Sequence, residues 1–167
     1  MTGLEQVKAA VAATLNKAGV RAVLEYGPER AKCYDGAVIS VGVRKSECRQ
    51  AGLCDYLGEQ EDPETGLSRE FYGRRLELSL SLDAWADPET DVSACQEALE
   101  QAHEALLRAM PAGIRPGEMT WGEVQWDKDA RMFLRQGTLQ CSAYLTATVR
   151  DDTGLLTDFI LKGVLTD

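Results

Sequence analysis

A general acid or base is most often histidine, and the chain has one, His103. It stands one position beyond Ala102 and four after Leu99, at the margin of an apolar helical stripe, so a boundary position on a helix accounts for it. With no second imidazole and no G-x-S-x-G elbow, a Ser/His/Asp or Cys/His set has nothing to assemble around. Five cysteines, at 33, 48, 54, 95 and 141, form no C-x-x-C pair, and one histidine leaves a zinc site with scattered ligands. Their odd number predicts reduced thiols. Cys95 and Cys141 fall on apolar faces and read as small hydrophobes, while Cys33, Cys48 and Cys54 lie in less regular sequence. Carboxylates are paired in Asp151-Asp152, in Asp127-x-Asp129 and along Glu59 to Glu64, but none sits in an apolar run that would raise its pKa. Solvated turns account for them, and the spacing after Asp127 is not that of a calcium loop. Neither G-x-x-x-x-G-K-[ST] nor G-x-G-x-x-G occurs, so nucleotide phosphates have no cradle. The sequence therefore predicts no catalytic residue, no cofactor and no metal. A small cytosolic α+β enzyme, the reading from another class, would have to use Glu118, Glu123 or Asp127 beside Trp121 and Trp126, and a ligand-binding module would need a deep pocket.

The elements that must position these residues are legible in the periodicity. Thr2-Gly3-Leu4-Glu5 has the form of a capping box, and Leu4, Val7, Val11, Leu15 and Ala18 then recur at helical spacing up to Gly19, which can take the left-handed conformation that ends a helix. Val20 to Tyr26 reads as a short strand, Gly27-Pro28 as a turn, and Ala37 to Val43 as a second strand. From Arg44 to Ser68 the pattern is irregular and acidic, with Leu53 to Leu57 as a possible short strand; it reads as a projecting arm or loop, mobile around Glu59 to Gly66. Leu76, Leu78, Leu80 and Leu82 alternate with polar residues as a half-buried strand. Asp87 to Asp91 offers caps and first-turn carboxylates for a second helix with Val92, Cys95, Leu99, Ala102 and Leu106 inward, stopped by Pro111 and Gly113. Met119 to Trp126 and Leu139 to Val149 read as strands, and Leu156 to Val164 returns as a hairpin partner after the turn at Asp151-Asp152-Thr153-Gly154. Helix, strands, helix, strands predicts one α+β domain over 1–167, with two helices packed on a mostly antiparallel sheet and the arm at 44–68.

Composition sets the class of partner. The formal charge is −9, with 11 basic and 11 acidic residues before position 76 and 7 against 16 after it. Arg44-Lys45, Arg49 and Arg74-Arg75 are a thin basic footprint for nucleic acid, which is bound by neutralising many phosphates. They are better placed for subunit contacts, and Trp85, Trp121 and Trp126 for packing. No run approaches the roughly 18 apolar residues of a membrane span, and the first residues lack a signal peptide's pattern, so the expected place of synthesis and assembly is the cytoplasm.

Three segments carry a family likeness: Phe71-Tyr72-Gly73-Arg74-Arg75-Leu76-Glu77-Leu78-Ser79-Leu80, the helix running to Met110, and Gly137-Thr138-Leu139-Gln140-Cys141-Ser142-Ala143-Tyr144-Leu145. With the order of elements, the chain resembles the tail-terminator (tail-completion) proteins of tailed bacteriophages and prophages. The resemblance implies a structural virion protein: a homo-oligomeric ring, a hexamer in that family, that caps the tail tube, ends its polymerisation and meets a head or neck connector. DNA would pass through such a ring without specific binding, and an acidic excess suits that passage. The subunit-interface candidates are Arg74, Arg75, Glu59, Glu61, Asp62 and Glu64. A tail-tube or neck connector subunit is the neighbouring alternative.

Overall fold

In the computed structural model, residues 3–24, 35–61, 63, 66, 68–148 and 159–161 are described. Thr2, Tyr26, the turn at Gly27-Pro28, Cys33, Asp62, Glu64, Val149 and the turn at 151–154 lie outside them. The chain runs α1 (Gly3–Lys17), β1 (Ala22–Leu24), β2 (Val38–Gln50), a 3-10 turn (Leu53–Asp55), β3 (Tyr56–Glu61), β4 (Ser68–Ala86), α2 (Ser93–Arg108), β5 (Ile114–Asp127), β6 (Met132–Thr148) and β7 (Phe159–Leu161). The strands form one seven-stranded sheet in the order β1-β2-β4-β6-β5, with β3 also on β4 and β7 on β6. Among the described residues, only β1 and β2 pair in parallel, and every other ladder is antiparallel. The fold is α+β, as the segregated order of elements predicts.

The helix ends follow from local chemistry. Gly19 at φ +87° closes α1 in a Schellman turn: its N–H donates to Asn16 O at 3.0 Å and the Val20 N–H to Leu15 O at 3.0 Å. Asn16 then ties that end to β1, its amide donating to Ala12 O and Ala22 O while its Oδ1 accepts from Ala22 N. The start of α2 departs from the sequence reading. Val92 is the N-cap rather than a core position and is 43% exposed, and no acidic residue lies in the first turn. Asp87 and Asp91 instead accept from the backbone N–H groups of Glu89 and Ser93, shaping the turns ahead of the helix.

Both helices lie on one face of the sheet. Val7, Val11 and Leu15 of α1 and Cys95, Leu99, Ala102 and Leu106 of α2 share a core with Leu76, Leu78, Leu80 and Leu82 of β4 and with Leu139 and Cys141 of β6. Each fully buried leucine side chain contributes about 2 kcal/mol by leaving water. The other face carries the alternate residues, and at its far end Ala130 and Met132 pack with Trp85.

Several strands outrun their sequence signals. β2 continues seven residues past Val43 to Gln50, through a bulge between Val43 and Lys45. Tyr56–Glu61 then pairs with the start of β4, beyond the point where β2 leaves it, so β2 and β3 lie end to end along one edge of β4. The segment read as an arm or loop is strand over most of its described length. Leu53–Asp55, within the stretch read as a possible strand, is the 3-10 turn between them. The hydrophobic core stops at Val43 and resumes at Leu76, so the intervening ribbon has no share in it among the described residues. β6 begins at Met132, seven residues before the alternation at Leu139 becomes readable.

Candidate interaction surfaces

The exposed ribbon turns on a tight knuckle. Gly52 leads into Leu53, which is 88% exposed, and then Cys54 and Asp55 adopt φ of 55° and 62°, left-handed values that cost non-glycine residues strain. A Cβ on Gly52 would stand 2.6 Å from Tyr56 O, which is why a glycine precedes the turn. The turn is clamped from β4: Arg74 Nε donates to Asp55 Oδ2 at 3.1 Å, and Tyr56 meets Tyr72 edge to face at 5.6 Å. Asp55 Oδ1 is buried with no hydrogen-bond partner among the described residues. Leu57 lies over Gly73, where a Cβ would meet it at 2.8 Å.

The interface candidates separate in space. Arg74 joins the knuckle on the helix side of the sheet, while Arg75 lies on the opposite face with its Nε 3.5 Å from Glu77 Oε1. Glu59 accepts from Ser68 Oγ at 3.2 Å inside the β3–β4 ladder, and Glu61 is exposed opposite Ser68.

A second feature was not legible as a motif, because its residues are far apart in sequence. On the helix-free face, Glu47, Glu77, Ser142 and Arg115 are successive partners across β2, β4, β6 and β5. Lys45 and Ser79 form the row on one side, and Arg49 and Arg75 the row on the other. Together they line an open groove of about 440 Å³. Glu47 accepts from Lys45 Nζ at 2.5 Å and Arg49 Nη2 at 2.7 Å, which holds its carboxyl down at about 2, and Arg49 Nε also reaches Glu77 at 3.3 Å. Four cations against two carboxylates make the groove locally positive on an acidic chain.

Elsewhere the titratable groups are in structural roles. His103 packs edge to face on Trp121 at 5.6 Å, joining α2 to β5. Burial pushes the Cys95 and Cys141 thiols up to about 11, and Cys48 and Cys54 are exposed. Glu118 and Glu123 are exposed, and Asp127 Oδ1 accepts from Asp129 N and Ala130 N at 2.9 Å, bracing the β5–β6 turn. Trp85 Nε1 donates to Ser40 Oγ, and Trp126 meets Phe133 edge to face at 5.2 Å. Half-buried Asp83 accepts from Arg44 and from Gly137 N; burial raises its pKa against the pull of both. No cluster of metal-ligating side chains occurs among the described residues, and no described helix is long and apolar enough to cross a membrane.

No protein-family model matches the chain, and no curated protein matches it. Among solved structures it is similar to the sheath/tube terminator of an extracellular contractile injection system, PVC, determined by cryo-EM in the extended state. The identity is 12% and the TM-score 0.47, with 100% of this chain and 64% of that chain covered. The chain thus spans just under two thirds of the length of that terminator.

Proposed function

We propose that this protein is a structural subunit of a phage-type tail, forming a homo-oligomeric ring that caps the tail tube, ends its growth and joins it to a head or neck connector. The observation that carries the reading is the ribbon between Val43 and Leu76. Its described residues pair as strands over 44–50, Tyr56–Glu61 and 68–75 yet lie outside the hydrophobic core, and between β2 and β3 a strained, clamped turn exposes Leu53. Such a surface suits a neighbour, because a strained turn clamped by an ion pair and a ring contact holds its apolar tip in a fixed place. The family likeness in the sequence points the same way. On this reading the ring assembles in the host cytoplasm, resides in the virion tail and lets DNA pass without specific contacts.

The test is the state of the purified chain by light scattering and electron microscopy, with complementation of a tail-defective phage. Monomers that close into rings, and overlong or headless tails in the absence of the protein, are the expected results. Filaments would overturn the reading in favour of a tube subunit. The protein acts through surfaces and not through catalysis, so His103→Gln, which removes the only imidazole, leaves complementation intact. Loss of function in a folded, assembling His103 variant would bring the enzyme alternative forward.

A further inference from the structure

The groove on the helix-free face has a complement on the same chain. Residues 87–108 hold six carboxylates against one arginine, and Glu97, Glu100 and Glu104 all lie on the exposed side of α2. We infer that α2 of a second copy docks in the groove, its acidic face against Lys45, Arg49, Arg75 and Arg115. This inference rests on the ring reading and assigns the contact that would build the ring.

The dimensions agree. From β2 to β5 the groove crosses three strand spacings, about 14 Å, while Glu97 and Glu104 are about 10 Å apart along a helix roughly 10 Å wide. The groove also has donors to spare. Glu47 and Glu77 occupy part of Arg49 and Arg75, each guanidinium has five N–H groups, and Arg115 makes no ion pair among the described residues. Arg49 and Arg75 are 62% and 49% exposed, so an incoming carboxylate reaches them without first breaking a buried pair.

Placement decides the symmetry. The acidic side of α2 points away from the sheet, and the groove opens on the sheet's opposite face, so one copy cannot join its own two surfaces. Copies that meet through two different surfaces form a heterologous, head-to-tail contact, which closes into a ring or runs on as a filament. Such a contact is electrostatic in its encounter and register, and salt weakens it.

The test uses the full chain and compares three variants by light scattering over protein concentration and salt: Arg75→Glu with Arg115→Glu, Glu97→Lys with Glu100→Lys and Glu104→Lys, and all five together. Each reversal alone raises the concentration for assembly at least tenfold, and the combination restores it to within about threefold. Arg115→Glu alone is a second probe that leaves the Glu47 and Glu77 pairs untouched, and it gives a smaller shift in the same direction with an unchanged melting temperature. Wild-type rings indifferent to both reversals would overturn this contact and leave the ring standing. A wild-type chain that stays monomeric at every concentration and salt would remove both. Weakening by the arginine reversals alone, without rescue by the lysines, would overturn the second copy as occupant and assign the groove to a different acidic partner.

Discussion

At the scale of single residues, burial sorts chemically similar groups into opposite behaviours. Cys95 and Cys141 face the core and titrate near 11, whereas Cys48 and Cys54 stand in water. At pH 8, iodoacetamide followed by peptide mass mapping therefore labels Cys48 and Cys54 in the native protein, and Cys95 and Cys141 only after denaturant opens the fold. Prompt labelling of Cys95 would place α2 off the sheet. Asp83 and Glu47 make the same contrast among carboxylates. Glu47, held at about 2, contributes stability that is present above its ordinary range and is lost as pH falls toward 2. Asp83, raised by burial, has the opposite sign: its contribution is present below the ordinary aspartate range and is lost as pH rises through its folded value. Replacing Asp83 with Asn removes that dependence. In urea unfolding, the variant's stability relative to wild type improves from pH 3 to pH 7, and a difference that stayed flat or reversed would contradict the assigned burial.

At the scale of elements, one close approach holds the second helix. A Cβ at Gly137 would stand 2.5 Å from Leu82 O and 3.1 Å from Leu99 Cδ2, so β6 needs a bare backbone where it passes between β4 and α2. Gly137→Ala lowers stability by about 1–3 kcal/mol, measured by thermal or urea unfolding. Gly122→Ala on β5, where nothing lies within 4 Å, is the near-neutral control. The same comparison explains which elements the sequence discloses. Leu76 to Leu82 and the Cys95 to Leu106 stripe are legible because one side meets a core and the other meets water, which writes a period into the residues. Arg44 to Gln50 and Tyr56 to Glu61 are strands with no such contrast, being exposed or half-exposed along nearly their whole length, so pairing alone defines them. The groove was hidden for a related reason: Lys45, Arg75 and Arg115 come from three strands, and only the register brings them into one place.

At the scale of the whole molecule, most contacts join distant parts of the chain. β4 is the centre of the sheet, with β2 and β3 on one edge and β6 on the other. Its β6 ladder opens with Ala86 against Phe133 and closes with Phe71 against Thr148. A topology dominated by such non-local pairing folds in milliseconds to seconds rather than microseconds. Stopped-flow refolding by tryptophan fluorescence is expected in that range, and a submillisecond main phase would contradict it. During synthesis the same topology imposes a wait. When β4 has left the ribosome, about 45 residues remain before β6 begins to emerge, roughly 2–9 s at bacterial elongation rates of about 5–20 residues per second. Throughout that interval one whole edge of the strand is open to any other nascent chain, and for about the first half of it α2 has not fully emerged to cover the leucine face. Slowing initiation, so that polysomes carry fewer unfinished copies at once, should raise the yield of soluble protein more than slowing elongation, which lengthens the exposed interval.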